Sequence, residues 1–368
     1  MLRSVIFALL GALLLSGPLA AKEYEVPPSD VGMFFATLPK DATLVTFSAT
    51  NKYHSEGDIV LPDSPMLTID GRGCTLTLGA NSNGFTRAIR DQKDALQRIT
   101  CRYFIRDFAV IQGGRRGIDL KATYGSTITD LGVADQTEAS IDLRFCLMCR
   151  VQNIMVTSPR LQGIVVRQGD WPGASATNSQ SNSTVLEQCR IYCAKSTTNA
   201  FAVVNSGGVR MQDCISEGSA VDCDLYLTAT ADGDETKPAG NPVVKSFTLD
   251  NFHIEHEAHK QCIYVNMPPK AAVRLSNIYV NHPQPGPVVF LMMGQLTLTD
   301  IGWWNKDLYI ATPMHAPRIN VDRCHSDLGV GNEKARTPTR AGSFRVIDPV
   351  NTDRTLDPRY IHVTAPSL

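Results

Sequence analysis

The stretches "STITDLGV" at residues 126–133 and "CRVQNIMV" at 149–156 are one phrase written twice, 23 residues apart. Each has an apolar residue two positions before a polar anchor (Ile128, Val151) and another directly after it (Leu131, Ile154), with Thr129 or Gln152 between. Alternation with a period of two on both sides of a polar corner describes two short strands joined by a tight bend. The phrase recurs as "YFIRDFAV", "TVLEQCRI", "VRMQDCIS", "FTLDNFHI", "VRLSNIYV", "LTLTDIGW" and "INVDRCHS". Its anchors are Asp107, Asp130, Asn153, Gln188, Asp213, Asn251, Asn277, Asp300 and Arg323, spaced 23, 23, 35, 25, 38, 26, 23 and 23 residues apart.

About eleven residues past the anchor a further strand recurs as "GIDLK", "SIDLR", "GIVVR", "CDLYL", "CIYVN" and "PVVFL". Three strands in each turn of roughly 23 residues predict an all-β parallel β-helix of about ten coils, stacked at ~4.8 Å. A leucine-rich repeat has a similar length, but its fixed Leu and Asn spacing is missing. The anchor side chains are expected to form a ladder at the inner corner and to satisfy backbone groups at the bend. "PMLTIDGRGCTLTLG" reads as an opening coil, and "SDVGMFFATL" before it as a short capping helix. The repeat runs to about residue 330, so residues 22–330 are read as one β-helix domain and 331–368 as a tail.

The "IDGRGCTLTL" opening, the nine-fold phrase and the capping segment together resemble the pectin-lyase-like superfamily of right-handed parallel β-helices. The resemblance covers roughly residues 27–330. It implies a right-handed stack that cleaves polysaccharides or, as the alternative, binds them without catalysis as an adhesive protein, since secreted lyases, glycoside hydrolases and tailspike-like proteins share that architecture. No calcium-and-arginine lyase motif or polygalacturonase-type Asp set is matched, so the resemblance speaks to architecture more than to activity.

The 368 residues carry a formal net charge of -1, which supplies no basic face for nucleic acid. "MLRSVIFALLGALLLSGPLAAKE" has a basic start, an apolar run and small residues near Ala21, the pattern of a secretory signal peptide over residues 1–21. A secreted or periplasmic protein is therefore expected, with no membrane span after cleavage and an extracellular polysaccharide as partner. Ten cysteines permit disulfides without specifying any. Cys189 and Cys214 fall in one inward column and Cys223 and Cys262 nearly share another, which admits either bridges or reduced stacks. A four-thiolate zinc site from Cys146, Cys149, Cys189 and Cys193 is set aside, because these lie on different strands of different coils.

Two faces are candidates for chemistry. Four positions after the anchor stand Tyr192, Glu217, Glu255, Asn281 and Trp304, and two after it Arg190, Ile215, His253, Tyr279 and Gly302. Glu217 and Glu255 should lie one strand spacing apart, as the two carboxyls of a retaining glycosidase do. Tyr192, Tyr279 and Trp304 could stack on sugars and Arg190 bind them, while His253 with Glu255 could also hold a metal. The competing reading is a solvated ladder of carboxylates.

On the third strand, Asp119, Lys121, Asp142, Arg144 and Arg167 should point outward, alternating with inward Ile118, Leu120, Ile141, Leu143 and Val166. Asp119 and Asp142 could act as an acid/base pair or hold calcium, the one cofactor that comes into view, with the basic residues binding a uronate. The competing reading is a cross-strand salt-bridge ladder. Two coils are longer than the others, through "QGDWPGASATNSQSNS" (168–183) and "TATADGDETKPAGNPVVK" (228–245). These loops either wall a groove, with Trp171 as an exposed platform, or are tolerated insertions without a role.

Overall fold

The computed structural model describes residues 22–194, 196–230, 243–244, 246–281, 287–303, 309–312, 318–322, 325–326, 346–347 and 361–364. Residues 1–21, which the sequence pattern suggests as a signal peptide, Trp304 and most of the second loop lie outside them. Among the described residues the strands pair parallel throughout, coil upon coil, as a parallel β-helix requires. No helix among them is long and apolar enough to cross a membrane.

The repeat predicts the observed register. Ile128, Val151, Leu186, Met211, Leu249, Leu275 and Leu298 pair in succession from coil to coil and are all buried. They form part of one apolar column running the length of the stack, so each coil buries its inward residues only because its neighbours cover the ends.

The corner is built differently from expectation. Asp107, Asp130, Asn153, Gln188, Asp213, Asn251, Asn277 and Asp300 all hold φ between 52° and 57°, in the left-handed region. Asn and Asp tolerate that conformation better than other residues with a Cβ, which accounts for their dominance here. Most of the anchor side chains are exposed, not internal, and they bond to one another: Asn153 Nδ2 donates to Asp130 Oδ1 at 2.6 Å, and Asn251 Nδ2 to Asp213 Oδ1 at 2.6 Å. The ladder exists, but on the outside, and its role is to turn the chain.

The N-terminal helix α1 spans Val31–Thr37, with Asp30 as its cap accepting from Met33 N at 3.1 Å. It buries Val31 and Phe35, and the Phe35 ring meets Phe85 edge-on at 5.7 Å. A second helix α2, Gln92–Arg98, was not expected; Asp91 caps it, and Arg98 reaches back one turn to Asp94 at 2.9 Å. Past residue 331, Val346–Ile347 and Ile361–Thr364 pair with Tyr309–Ala311 and Arg318–Asp322, so the tail adds strands to the stack.

The third-strand alignment needs a one-residue correction in two coils. Ile118, Ile141, Ile164, Phe201, Leu225, Ile263 and Val289 stand in register, which matches "GIDLK" with "DLYLT" and "VVFLM". Cys223 therefore pairs with Gln261 and belongs to an outer cluster, whereas Cys262 sits in the core. All nine described cysteines are free and buried. Burial raises the Cys193 thiol to about 12 and the Cys74 thiol to about 12.

Candidate functional site

Strand pairing places Tyr192 beside Glu217, Glu217 beside Glu255 and Glu255 beside Asn281 in four consecutive coils. These residues alternate with inward Ile191, Ser216, Ile254 and Val280, so they must point outward. Tyr192, Glu217 and Glu255 line a shallow, open hollow of about 540 Å³ together with Gly218, Ser219, Glu257 and Asn281.

Each carboxylate is oriented by a neighbour. Arg190 Nε donates to Glu217 Oε1 at 2.8 Å, and its second nitrogen reaches the same oxygen. Glu255 lies 3.0 Å from His253 Nε2 and accepts from Asn281 Nδ2 at 3.2 Å. The His253 ring in turn lies against Tyr279, centroids 4.9 Å apart. Both acids stay reachable from solvent, with the Glu217 side chain 21% and that of Glu255 52% exposed.

Behind this pair lies a polar cluster that the sequence reading missed. Ser216 Oγ donates to Asp224 Oδ1 at 2.6 Å, and His256 Nε2 lies 2.8 Å from Asp224 and 3.0 Å from Ser216 Oγ. The His256 and Asp224 side chains are fully buried, so the triangle is not open to a dissolved substrate. Its residues flank the outward acids in sequence, Ser216 before Glu217 and His256 after Glu255, and they tie the two coils together. The signal was present in the columns. Ser216 interrupts an apolar row of Ile191, Ile254 and Val280, and Asp224 stands where other coils have Gly163, Ala200 or Cys262. Gly218 completes the arrangement: at φ +126° its chain passes so close to Cys193 O that a Cβ would sit 2.4 Å from it.

The third-strand cluster is assembled in the expected register, Asp119 beside Asp142 and Lys121 beside Arg144 and then Arg167. Its two carboxylates are not presented to solvent. Asp119 is 0% and Asp142 1% exposed. Asp119 accepts from Thr86 Oγ1 at 2.7 Å and pairs with Lys121 at 2.9 Å and with Arg144. Asp142 receives both Arg167 Nε at 2.9 Å and Nη2 at 2.7 Å, with Arg116 and Arg144 each 3.2 Å away. Burial alone would raise the Asp142 carboxyl, but the charges of Arg167, Arg144 and Arg116 outweigh it and hold the carboxyl below its ordinary value.

The loop 168–183 supplies the cover. Asp170 receives Arg144 Nη1 at 2.8 Å, and Trp171 turns inward. Expected as an exposed platform, Trp171 is instead 7% exposed, with Nε1 donating to Gln92 Oε1 at 2.9 Å and its ring 6.3 Å from that of Phe145. Gln92 also donates to Asn178 O at 2.8 Å and, through its backbone N, to Pro172 O at 3.0 Å, so α2 anchors the loop at three points.

Further along, the column that holds Asp119 and Asp142 continues through Val165, Ala202, Tyr226, Tyr264 and Phe290. The three rings stack, with centroids 5.0 Å and 5.7 Å apart and interplanar angles of 10° and 14°. This aromatic ladder was also missed, although one correctly aligned column of the recurring third strand contains all three residues.

A scan against protein-family models found no match to this chain, and a search of curated proteins likewise found none.

Proposed function

We propose that the protein is an exported polysaccharide-acting enzyme, a retaining glycoside hydrolase working at the Glu217–Glu255 face. The observation that carries the reading is the pairing of these two outward carboxylates in adjacent coils above an open hollow. Adjacent coils are ~4.8 Å apart, close to the roughly 5–5.5 Å carboxyl separation of retaining enzymes. The resemblance of the repeat and its opening coil to the pectin-lyase-like superfamily supports a right-handed stack and a polysaccharide substrate, and the leader over residues 1–21 supports export.

In this reading Glu217, held in place by Arg190, attacks the anomeric carbon. Glu255 protonates the departing glycosidic oxygen as its bond to that carbon breaks. Glu255 then takes a proton from water, which displaces Glu217 and releases the sugar with its configuration retained. Tyr192, 47% exposed, offers a ring for the adjoining sugar.

A second reading, carbohydrate binding without turnover, is favoured by the partners that both carboxylates already have. The test is incubation of the mature protein with neutral and uronic polysaccharides, with and without calcium, following reducing ends and the ultraviolet absorbance of unsaturated products. The hydrolase reading expects reducing ends without absorbance, and a loss of at least about a hundredfold in Glu217→Gln or Glu255→Gln. Absorbance that survives both substitutions would move the chemistry to a lyase site. Binding without release on the whole panel would favour the second reading.

A further inference from the structure

The Glu217–Glu255 hollow does not stand alone. Two positions nearer the corner on the same strands, Arg190 and Ile215 line a second open hollow of about 680 Å³ with Asp130, Asn153, Met155, Gln188 and Asp213. The Arg190–Glu217 pair links the lining of one hollow to that of the other, so the two adjoin along one face as a trough crossed by that pair. It extends from the coil of Asp130 to that of Asn281, five coil steps or roughly 24 Å.

The charges along this trough are mainly negative. Among the described residues its lining includes Asp130, Asp213, Glu217, Glu255 and Glu257 against the single guanidinium of Arg190, which is already bonded to Glu217. Asp130 accepts from Asn153 at 2.6 Å and Thr129 at 2.9 Å, and Asp213 from Asn251 at 2.6 Å; all three donors are neutral. Arg150, Arg210 and Arg274 stand three positions before the corner, on the strand leading into it, and line neither hollow. Any carboxylate laid in the trough therefore meets several like charges and, among the described residues, no free guanidinium, an arrangement that selects against polyanions.

We infer that the trough takes a glycan chain without carboxylates, neutral or bearing amino groups, and rejects polyuronates. This rests on the reading of the Glu217–Glu255 face as a polysaccharide site and sets its substrate class. It also departs from the uronate preference that the basic residues of the third strand suggested, because those bases are consumed by Asp119, Asp142 and Asp170.

The test is titration calorimetry of the mature full chain with hexasaccharides of glucose, glucosamine and galacturonic acid, at low and at high salt. Binding of the glucose or glucosamine chain at least about tenfold tighter than the galacturonate chain at low salt, with the neutral-to-uronate gap narrowing in high salt, is the expected result. The double substitution Asp130→Asn with Asp213→Asn should narrow the same gap at low salt. Equal or tighter binding of the galacturonate chain overturns the inference while leaving a polysaccharide site in place. Binding of none of the three chains overturns the inference and the polysaccharide reading together.

Discussion

Two outward faces of the same stack carry similar sets of acids and bases, and they differ in what lies over them. On the third strand, Asp119 and Asp142 are closed in by Arg116, Arg144 and Arg167, with Asp170 of the long loop above. On the strand after the corner, Glu217 and Glu255 each have a partner, yet remain open to solvent. A coil-to-coil register stacks like residues on both faces, so stacking alone does not separate a structural ladder from a site. Cover separates them: where the loop and α2 seal the charges, each charge must be matched within the protein, and where nothing seals them they stay available to a ligand.

The sharpest way to break this comparison is to remove a charge from the sealed face. Asp142→Ala takes the shared acceptor from Arg167, Arg116 and Arg144, leaving buried guanidinium groups under-paired, and should cost about 3–5 kcal/mol in denaturant unfolding. The same carboxyl sets an acid dependence. Its folded value lies below its unfolded one, so its contribution is present above about pH 4 and is lost as pH falls through the lower folded value. Acid titration of stability should show a shallower decline in Asp142→Ala than in the parent; an equal slope would mean that the network does not hold Asp142 ionised.

Next in size is the cover itself. Trp171→Ala deletes the side chain that locks the loop 168–183 to α2 and should cost about 3 kcal/mol, near the lower end for truncating a buried aromatic. Limited proteolysis should then cut within 168–183 faster than elsewhere. A variant whose loop stays protected would show that the Asp170–Arg144 bridge and the bonds of Gln92 to Asn178 and Pro172 suffice as anchors.

What the sequence disclosed follows from the same contrast. Period-two alternation around the anchors reads out the register, because inward residues must be apolar and each corner must admit a left-handed residue. Hence the pairing of Glu217 with Glu255, and of Asp119 with Asp142, was legible without coordinates. Cover is a tertiary property: nothing in "QGDWPGASATNSQSNS" says that Trp171 folds back onto Gln92, and α2 has only seven residues, too few for a clear helical period. The Ser216–Asp224–His256 triangle was hidden for another reason. Its members are close in space only after the third strand of that coil is shifted by one residue, and the looser pattern "CDLYL" concealed the shift.

The smallest expected effect tests the open face. Glu255→Gln keeps the side-chain shape and one oxygen to accept from Asn281, and removes a charge that is half exposed and, among the described residues, paired only with His253 and Asn281. An exposed pair of this kind contributes about 1 kcal/mol or less, so the midpoint of unfolding should scarcely move. Glu217→Gln, whose partner Arg190 is also exposed, should behave alike. Should either substitution destabilise the fold as much as Asp142→Ala, the open carboxylates would be structural after all and the distinction by cover would fail. A small cost, combined with lost turnover or altered glycan binding, is the signature of side chains held ready on the surface of a stack that does not need them to fold.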